Sequence, residues 1–170
     1  LFDESIKVLK GVWSQDDFAF EGTTFSAVGQ TANPKPANVP IWIGGNSGRA
    51  RQRVAEFGDG WNPFPAPKAL AGAAKTVVLE TAEDLGRLLD DLWQKVDEAG
   101  RDRAAIDVSF GTPKGGTPGK ASFNAAEHLE GVAELAELGV TWTATGVPGD
   151  SLAHALETLE QYGAEVINAG

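Results

Sequence analysis

The chain has 170 residues, of which 42% are hydrophobic and 22% charged, a composition typical of a globular domain with a sizeable core. Its net charge of −10 argues against a nucleic-acid-binding protein, because such proteins need clustered lysine and arginine. The lack of cysteine excludes disulfides and thiolate metal sites, and no apolar run is long enough to span a membrane. We therefore expect a cytoplasmic protein without a metal site, formed as a single domain over residues 1–170.

The first predicted element is an amphipathic helix at the amino end. Phe2, Ile6, Leu9 and Trp13 recur at helical spacing and share one face. No capping residue precedes this helix and the chain contains no methionine, so we expect the sequence to be a piece of a longer protein. Residues 16–35 follow with aromatic residues around a glycine turn, which predicts a short β-hairpin insertion.

An apolar run that ends in glycines is the most informative stretch of the sequence. Residues 40–49 are Pro-Ile-Trp-Ile-Gly-Gly-Asn-Ser-Gly-Arg, which predicts a buried strand, a tight loop and the start of a helix. We expect this helix to end at Gly58, with the glycine in a left-handed conformation. Glycines allow close backbone approach and a helix start carries partial positive charge, so the loop suits a phosphate. A plain turn with Asn46 or Ser47 as helix cap is the alternative interpretation.

The order of strand, loop and capped helix then repeats to the carboxyl end. The further predicted strands and helices are 60–62, 81–100, 106–110, 124–139, 140–145 and 151–163, the last ended by Gly163. Four strand–helix units in succession indicate a parallel sheet with helices outside it. A complete eight-stranded barrel needs roughly 250 residues, so half a barrel fits this length, and a doubly wound open sheet is the competing architecture.

Charged and aromatic residues close to the glycine loop have two interpretations each. Arg49, Arg51 and Arg53 could pair with a phosphate, or could be solvated charges on the helix surface. Trp61 lies in the next predicted strand, 60–62, and its side chain could face the core or the mouth of a barrel; packing in the core is favoured. No acid–base pair is predicted from these patterns.

The loop at 111–120 is rich in glycine and proline and is a candidate lid or substrate loop, with disorder as the alternative. Lys114 and Lys120 are the cations in it that an anionic substrate could meet. His128 and His154 lie on predicted helices without partners at ligand spacing, so we expect both at the surface.

Together these motifs resemble the luciferase-like monooxygenase superfamily of flavin- and deazaflavin-dependent oxidoreductases. The resemblance is carried by the first helix, the Phe-Glu-Gly turn at 20–22, the stretches 41–45 and 58–61, and the approach to the last strand at 137–140. It implies a TIM-type (β/α)8 barrel of which this chain is the C-terminal half. The half would consist of four parallel strand–helix units, barrel strands five to eight, preceded by a helix and a short hairpin insertion.

The resemblance also implies a cofactor site at the carboxyl mouth of the barrel. The cofactor-binding residues by this match are Ile43, Gly44, Gly45, Asn46, Ser47 and Gly48. The implied cofactor is coenzyme F420, with FMN as the alternative, and the implied reaction is hydride transfer between the cofactor and a small organic substrate. The difficult chemistry belongs to the cofactor, and no catalytic residue is predicted, because much of the ring-binding surface would lie in the missing half. A non-catalytic α/β binding or interaction module is the alternative function.

A half-barrel would leave two sheet edges and one apolar sheet face open. The side chains expected on that face are a subset of Ile41, Ile43, Val108, Phe110, Trp142 and Ala144. Such a patch favours self-association, or association with the missing N-terminal half. We therefore expect the isolated fragment to be inactive.

Overall fold

A computed structural model describes residues 1–169, which form six α-helices and five β-strands. In chain order the elements are α1 (Phe2–Ser14), β1 (Phe18–Glu21), β2 (Ser26–Gln30), β3 (Trp42–Gly44), α2 (Gly48–Phe57), β4 (Gly60–Asn62), α3 (Lys68–Ala74), α4 (Ala82–Glu98), β5 (Asp107–Val108), α5 (Ala125–Glu137) and α6 (Leu152–Tyr162). The α-helical part of α6 ends with Gly163 as its C-terminal cap, as predicted, and the chain continues beyond it as a π-helical stretch, Gly163–Ile167. Within the described residues, no helix has the length and apolar character needed to cross a bilayer.

Three of the strands form a parallel sheet in the order β3, β4, β5. The predicted fourth strand at 140–145 contributes only a parallel bridge between Ser109 and Trp142. Trp142 exchanges backbone hydrogen bonds with Val108 and Phe110 at 3.0 Å each, and β5 spans only two residues, so no longer ladder forms there. The described residues thus show a parallel α/β sheet of three strands with a bridge in place of the fourth.

The predicted hairpin is confirmed, since β1 and β2 pair antiparallel. The Glu4 carboxylate on α1 accepts hydrogen bonds from three consecutive backbone amides of the hairpin turn, Thr23 to Phe25, at 2.8 to 3.1 Å. These bonds, of which the one from the Thr24 amide has the largest effect, hold the pKa of Glu4 below its ordinary value. A charged carboxylate therefore fastens the hairpin to α1.

The main core lies between the parallel sheet and helices α2 and α4. Ile43, Trp61 and Val108 occupy matching register positions on the three strands and are almost fully buried. They share one cluster with Val54 of α2 and Leu92 of α4, both completely buried. Ile43 and Val108 therefore lie outside the subset of strand side chains expected on the open face of the sheet. An Ile-Trp-Ile run has no polar residue to show which face is buried.

The opposite face of the sheet carries two tryptophans. Side chains alternate along a strand, so Trp42 points away from the helices. Its ring lies on Gly60, where an added Cβ would come within 2.6 Å of it. Trp142, expected on this face and 56% exposed, contacts Trp42 edge-on with 5.7 Å between ring centroids. This face is therefore aromatic and only partly covered by the described residues.

The amino edge of the sheet is held by charged groups. Asp59, just before β4, accepts a hydrogen bond from the Ile41 amide at 2.9 Å, and its carboxylate lies 3.6 Å from Lys10 and 3.9 Å from Arg101. Arg101 also donates to three carbonyls at the end of α2, including that of Gly58 at 2.7 Å. Gly58 itself is extended, with φ of −80°, so the predicted left-handed stop is wrong. A Cβ there would lie 2.9 Å from the Val54 Cα, so space requires the glycine.

Candidate functional site

Three loops meet at the carboxyl edge of the parallel sheet. The glycine loop, which we define as residues 44–48, follows β3 and enters α2 directly. A proline-rich segment, residues 63–67, follows β4, and a long loop, residues 109–124, follows β5. Parallel strands end at one edge, so these loops are neighbours, and this edge is where α/β proteins of this kind bind ligands.

The glycine loop turns sharply at Gly45. Its φ of +109° lies in a region that side chains rarely adopt, so glycine is required there. The Gly45 amide donates to the Asn62 carbonyl at 3.3 Å, and the Gly45 carbonyl accepts from the Trp61 indole N–H at 2.9 Å. Trp61 is completely buried, so core packing is its confirmed place, with the indole as an additional tether for the loop.

Asn46, one of the residues predicted to bind the cofactor, is completely buried. Its side-chain amide donates to the Phe64 carbonyl at 2.8 Å and the Val77 carbonyl at 3.3 Å, and its side-chain oxygen accepts from the Phe64 amide at 3.0 Å. The side chain therefore joins the glycine loop to the proline-rich segment and is directed into the interior. Ile43 is likewise buried in the core, 4% exposed.

Ser47 and Gly48 form the start of α2. The Ser47 hydroxyl caps the helix by accepting from the Ala50 amide at 3.1 Å, as the alternative interpretation of the loop predicts. Within residues 1–169, the backbone amides of Ser47 and Gly48 have no hydrogen-bond acceptor. Both residues are half-buried, and a Cβ on Gly48 would meet no atom nearer than Arg51 Nη2 at 3.8 Å. Two adjacent amides are therefore left for an anion.

The three arginines of α2 are already engaged. Arg49 and Arg53 both pair with Asp3 of α1, at 3.1 and 2.5 Å. These contacts lower the pKa of Asp3, and the one with Arg53 has the larger effect. Arg51 is buried and pairs with Asp91 of α4 at 2.5 Å. Burial raises the pKa of Asp91, but its hydrogen bonds to Lys95 and Arg51 outweigh burial and lower it. The interpretation as free surface charges is therefore wrong for Arg51.

A cavity of about 400 Å³ lies beside the glycine loop at the same edge. Its walls come from the proline-rich segment, from two residues just before α4 and from the loop after β5, and they are mostly apolar. The lining residues are Pro65, Pro67, Leu79, Glu80, Phe110, Gly111, Thr112 and Pro113. Asn46 contacts the backbone at Phe64, the neighbour of the wall residue Pro65, so the glycine loop is joined to the segment that forms one wall.

The loop after β5 is packed against α5. Thr112 lies so close to Gly131 that a Cβ on this glycine would sit 2.2 Å from the threonine hydroxyl. Lys114 forms an ion pair with Glu134 at 2.5 Å, and this contact raises the pKa of Lys114. Lys114 is therefore not a free cation for an anionic substrate, and the loop is ordered along α5 rather than disordered.

The two histidines both contact this loop. His128 is 3% exposed, so its predicted surface position is wrong. Its ring contacts the Tyr162 hydroxyl at 3.0 Å and the Lys114 carbonyl at 3.3 Å. His128 is buried because the face of α5 that carries it packs against Tyr162 at the end of α6. The hydropathy of a single histidine does not indicate such packing.

His154 on α6 is only partly exposed and lies between two acceptors. Its Nδ1 faces the Asp150 carboxylate at 2.8 Å, and its Nε2 faces the Gly119 carbonyl at 3.0 Å. Since neither partner can donate, both ring nitrogens must carry protons to make both bonds. The Asp150 contact first, and then the Gly119 carbonyl, raise the pKa of His154.

The carboxyl edge thus defines an α/β protein with an anion-suited glycine loop beside an apolar cavity. A family model for luciferase-like monooxygenases matches residues 1–114, which is more than half of the chain. The chain belongs to the luciferase-like monooxygenase family, and the resemblance seen in the sequence is confirmed.

Two curated relatives share part of the sequence. The chain is 38% identical over 60 residues to an FMNH2-dependent dimethylsulfone monooxygenase of Pseudomonas putida. It is 40% identical over 58 residues to a protein of the same description from Pseudomonas fluorescens strain Pf0-1. Each match covers 34% of this chain and 16% of the relative.

Solved structures share the fold over nearly the whole chain. An F420-dependent tetrahydromethanopterin reductase from Methanopyrus kandleri superposes with a TM-score of 0.70 at 15% identity, covering 98% of this chain and 63% of that one. A monooxygenase from Streptomyces bottropensis gives 0.71 at 12% identity, covering 99% and 60%. An F420-dependent secondary alcohol dehydrogenase gives 0.68 at 14% identity, covering 96% and 60%. The chain therefore spans less than two thirds of these structures.

Several residues of the site were not predicted from the sequence. Phe64 and Val77 hold Asn46 from 18 and 31 residues away, and Asp91 holds Arg51 from 40 residues away. Contacts at such separations leave no local pattern. Of the cavity wall, the sequence indicated only the part formed by the loop at 111–120. The wall residues at 65–80 gave no signal, because proline-rich loops without periodicity are compatible with many surfaces.

Proposed function

We propose that this chain supplies the cofactor-phosphate loop and part of the substrate cavity of an oxidoreductase that transfers hydride between F420 and a small organic substrate. The observation that carries the proposal is the pair of acceptor-free amides of Ser47 and Gly48 at the start of α2. FMN is the alternative cofactor, since the curated relatives are described as FMNH2-dependent and two of the structural neighbours as F420-dependent.

The residues of the loop fit a phosphate group. Amides at a helix start donate to anions, and the helix dipole favours negative charge there. Gly44 and Gly48 have room around their α-carbons and add no side chain between the loop and a ligand. Ile43 and Asn46, whose side chains face inward, would serve by holding the loop, and Gly45 by making the turn. When bound, the cofactor would supply the hydride chemistry itself.

The apolar cavity beside the loop is the proposed place for the substrate. Prolines, Leu79 and Phe110 would exclude water from it, while Glu80 and Thr112 offer the polar contacts. A small organic molecule with one or two polar groups matches this lining better than a highly charged one. No catalytic acid or base is assigned to the described residues.

The architecture we propose is the C-terminal half of a (β/α)8 barrel, formed as one domain over residues 1–170. It is supported by the 60–63% coverage of structural neighbours and by the partly covered aromatic face at Trp42 and Trp142. A second copy or the complementary half of a barrel would cover that face.

Titration of the protein with F420 and with FMN, followed by absorbance, tests the proposal. Gly48→Val would weaken binding of the preferred cofactor by about tenfold or more, because the added side chain occupies the approach to the two amides. Gly146→Val is the matched control, since a Cβ at Gly146 meets no atom within 4 Å, one at Gly48 meets only Arg51 Nη2 at 3.8 Å, and Gly146 lies in another loop. Gly45→Val is a poorer test, because the φ of +109° would strain the turn itself.

Equal affinity in wild type and Gly48→Val, with the fold intact, would show that the glycines form only a turn. Binding of neither cofactor by the wild-type protein would favour the alternative function, a non-catalytic α/β binding module.

A further inference from the structure

We infer that Arg51 is a positioning residue, which aims the Ser47 amide at the cofactor phosphate without touching it. The inference rests on the proposed function of the glycine loop. It assigns to Arg51 a role different from both interpretations that the sequence allows, a phosphate partner or a solvated surface charge.

Arg51 holds two successive carbonyls of the loop. Its guanidinium Nη1 donates to the Asn46 carbonyl at 2.7 Å, and its own backbone amide donates to the Ser47 carbonyl at 3.1 Å. The guanidinium is buried beneath the loop, with 7% of the side chain exposed. The guanidinium therefore holds the Asn46 carbonyl toward the interior, while the bond to the Ser47 carbonyl is the first backbone hydrogen bond of α2.

The orientation of the Asn46 carbonyl determines where the Ser47 amide points. A trans peptide unit is planar, and its C=O and N–H point in opposite directions. The cis bond in the described residues is elsewhere, between Asn33 and Pro34. With the Asn46 carbonyl directed inward, the Ser47 amide is directed outward. The Gly48 amide beside it is oriented by the start of α2 itself. Neither amide has an acceptor within residues 1–169.

A second element keeps Arg51 in place. Asp91 on α4 accepts from Arg51 Nε at 2.5 Å, and its other carboxylate oxygen accepts from Lys95 at 2.7 Å. Arg51 thereby uses one edge of its guanidinium for the carboxylate and another for the loop carbonyl. A lysine has a single ammonium group and cannot reproduce this geometry.

The experiment compares FMN with riboflavin, which has the same ring and lacks the phosphate, by quenching of flavin fluorescence. The wild-type protein should prefer FMN. Arg51→Lys should reduce affinity for FMN by about tenfold to a hundredfold, the value of one or two hydrogen bonds to a charged group, and leave affinity for riboflavin unchanged. Asp91→Asn should shift FMN affinity in the same direction by a smaller factor. If the wild type binds F420 and not flavins, F420 and its phosphate-free deazaflavin chromophore replace the pair.

Controls separate positioning from general stability. Arg87→Lys changes an arginine of α4, the helix that carries Asp91, whose side chain is 67% exposed, and should alter neither affinity. The backbone amide NMR signal of Ser47 should shift on addition of inorganic phosphate in the wild type and not in Arg51→Lys.

Each remaining outcome refutes a defined statement. Equal loss of FMN and riboflavin affinity in Arg51→Lys would make Arg51 a purely structural residue and overturn the inference. An unchanged preference for FMN in both variants would overturn it as well. A wild-type protein that binds FMN and riboflavin equally would instead refute the phosphate site, and with it the proposed function of the loop.

Discussion

Two glycines in helix interiors allow a direct test of how the loop after β5 is packed. Gly86 lies within α4 and Gly131 within α5. A Cβ on Gly86 would meet Leu138 at 3.7 Å, an ordinary contact, whereas a Cβ on Gly131 would lie 2.2 Å from the Thr112 hydroxyl and 2.9 Å from the Lys114 Cβ. The same substitution to alanine should therefore have different consequences at the two sites.

The magnitudes follow from two opposing effects. Alanine in place of glycine stabilises a helix interior by about 1 kcal/mol. Gly86→Ala should gain that amount, because nothing opposes it. Gly131→Ala should lose about 1–3 kcal/mol to overpacking, since the clashing atoms lie next to the loop backbone and cannot rotate away. The two variants should thus differ by about 1–3 kcal/mol, with Gly131→Ala no more stable than the wild type.

Urea unfolding followed by circular dichroism measures this difference. In thermal unfolding each kcal/mol should appear as about 2–4 °C in Tm for a chain of this size. Limited proteolysis between residues 111 and 120 should also be faster in Gly131→Ala, because the loop must leave α5. Equal stabilisation by both substitutions would show that the loop is not packed on α5.

Three further predictions concern pH and assembly. Hydrogen bonding to the hairpin amides lowers the pKa of Glu4, so the contribution of Glu4 to stability should be present above the ordinary pKa of 4.5 and be lost as pH falls through the lowered pKa. Glu4→Gln should remove this pH-dependent loss of stability from acid unfolding curves, and an unchanged curve would contradict the contact. Asp150 and the Gly119 carbonyl raise the pKa of His154, so the contribution of His154 to stability should be complete below pH 6.5 and be lost as pH rises through the raised pKa. His154→Gln should make the free energy of unfolding less dependent on pH between about pH 5 and 9, and an unchanged dependence would show that another group causes it. Trp142→Ser should reduce self-association of the purified chain in light scattering, and a monodisperse wild-type monomer that still reduces its cofactor would refute the half-barrel proposal.

Local patterns in the sequence predicted the elements of the fold better than their faces. Apolar spacing, glycine loops and helix caps gave the hairpin, the three parallel strands and the helices that follow them. Thr81 with Asp84 at the start of α4 forms the capping box that its residues predict. The strand run Ile41 to Ile43 is apolar throughout, so its alternation carried no information about which side chains face the helices.

The candidate site shows the same limit more sharply. The glycine loop and its tight turn follow from the residue types alone, including the cap at Ser47. Whether Asn46 and Arg51 face a ligand or the interior depends on groups far along the chain, and the structure directs both inward. Polar residues that hold a loop from within are indistinguishable, by type and spacing, from polar residues that bind a ligand.

The charged cluster around Asp59 has a consequence for how the two ends of the sheet respond to ionic strength. Lys10 and Arg101 stand 3.6 and 3.9 Å from its partly exposed carboxylate, so added salt screens these pairs. The carboxyl edge is instead tied by hydrogen bonds of Asn46, Trp61 and the loop backbone, and the guanidinium of Arg51 that holds the Asn46 carbonyl is buried, where salt screens it much less. A salt titration should therefore loosen the end opposite the glycine loop while the loop keeps its shape. The two ends of the same three strands are in this way held by exposed ion pairs at one edge and by buried hydrogen bonds at the other.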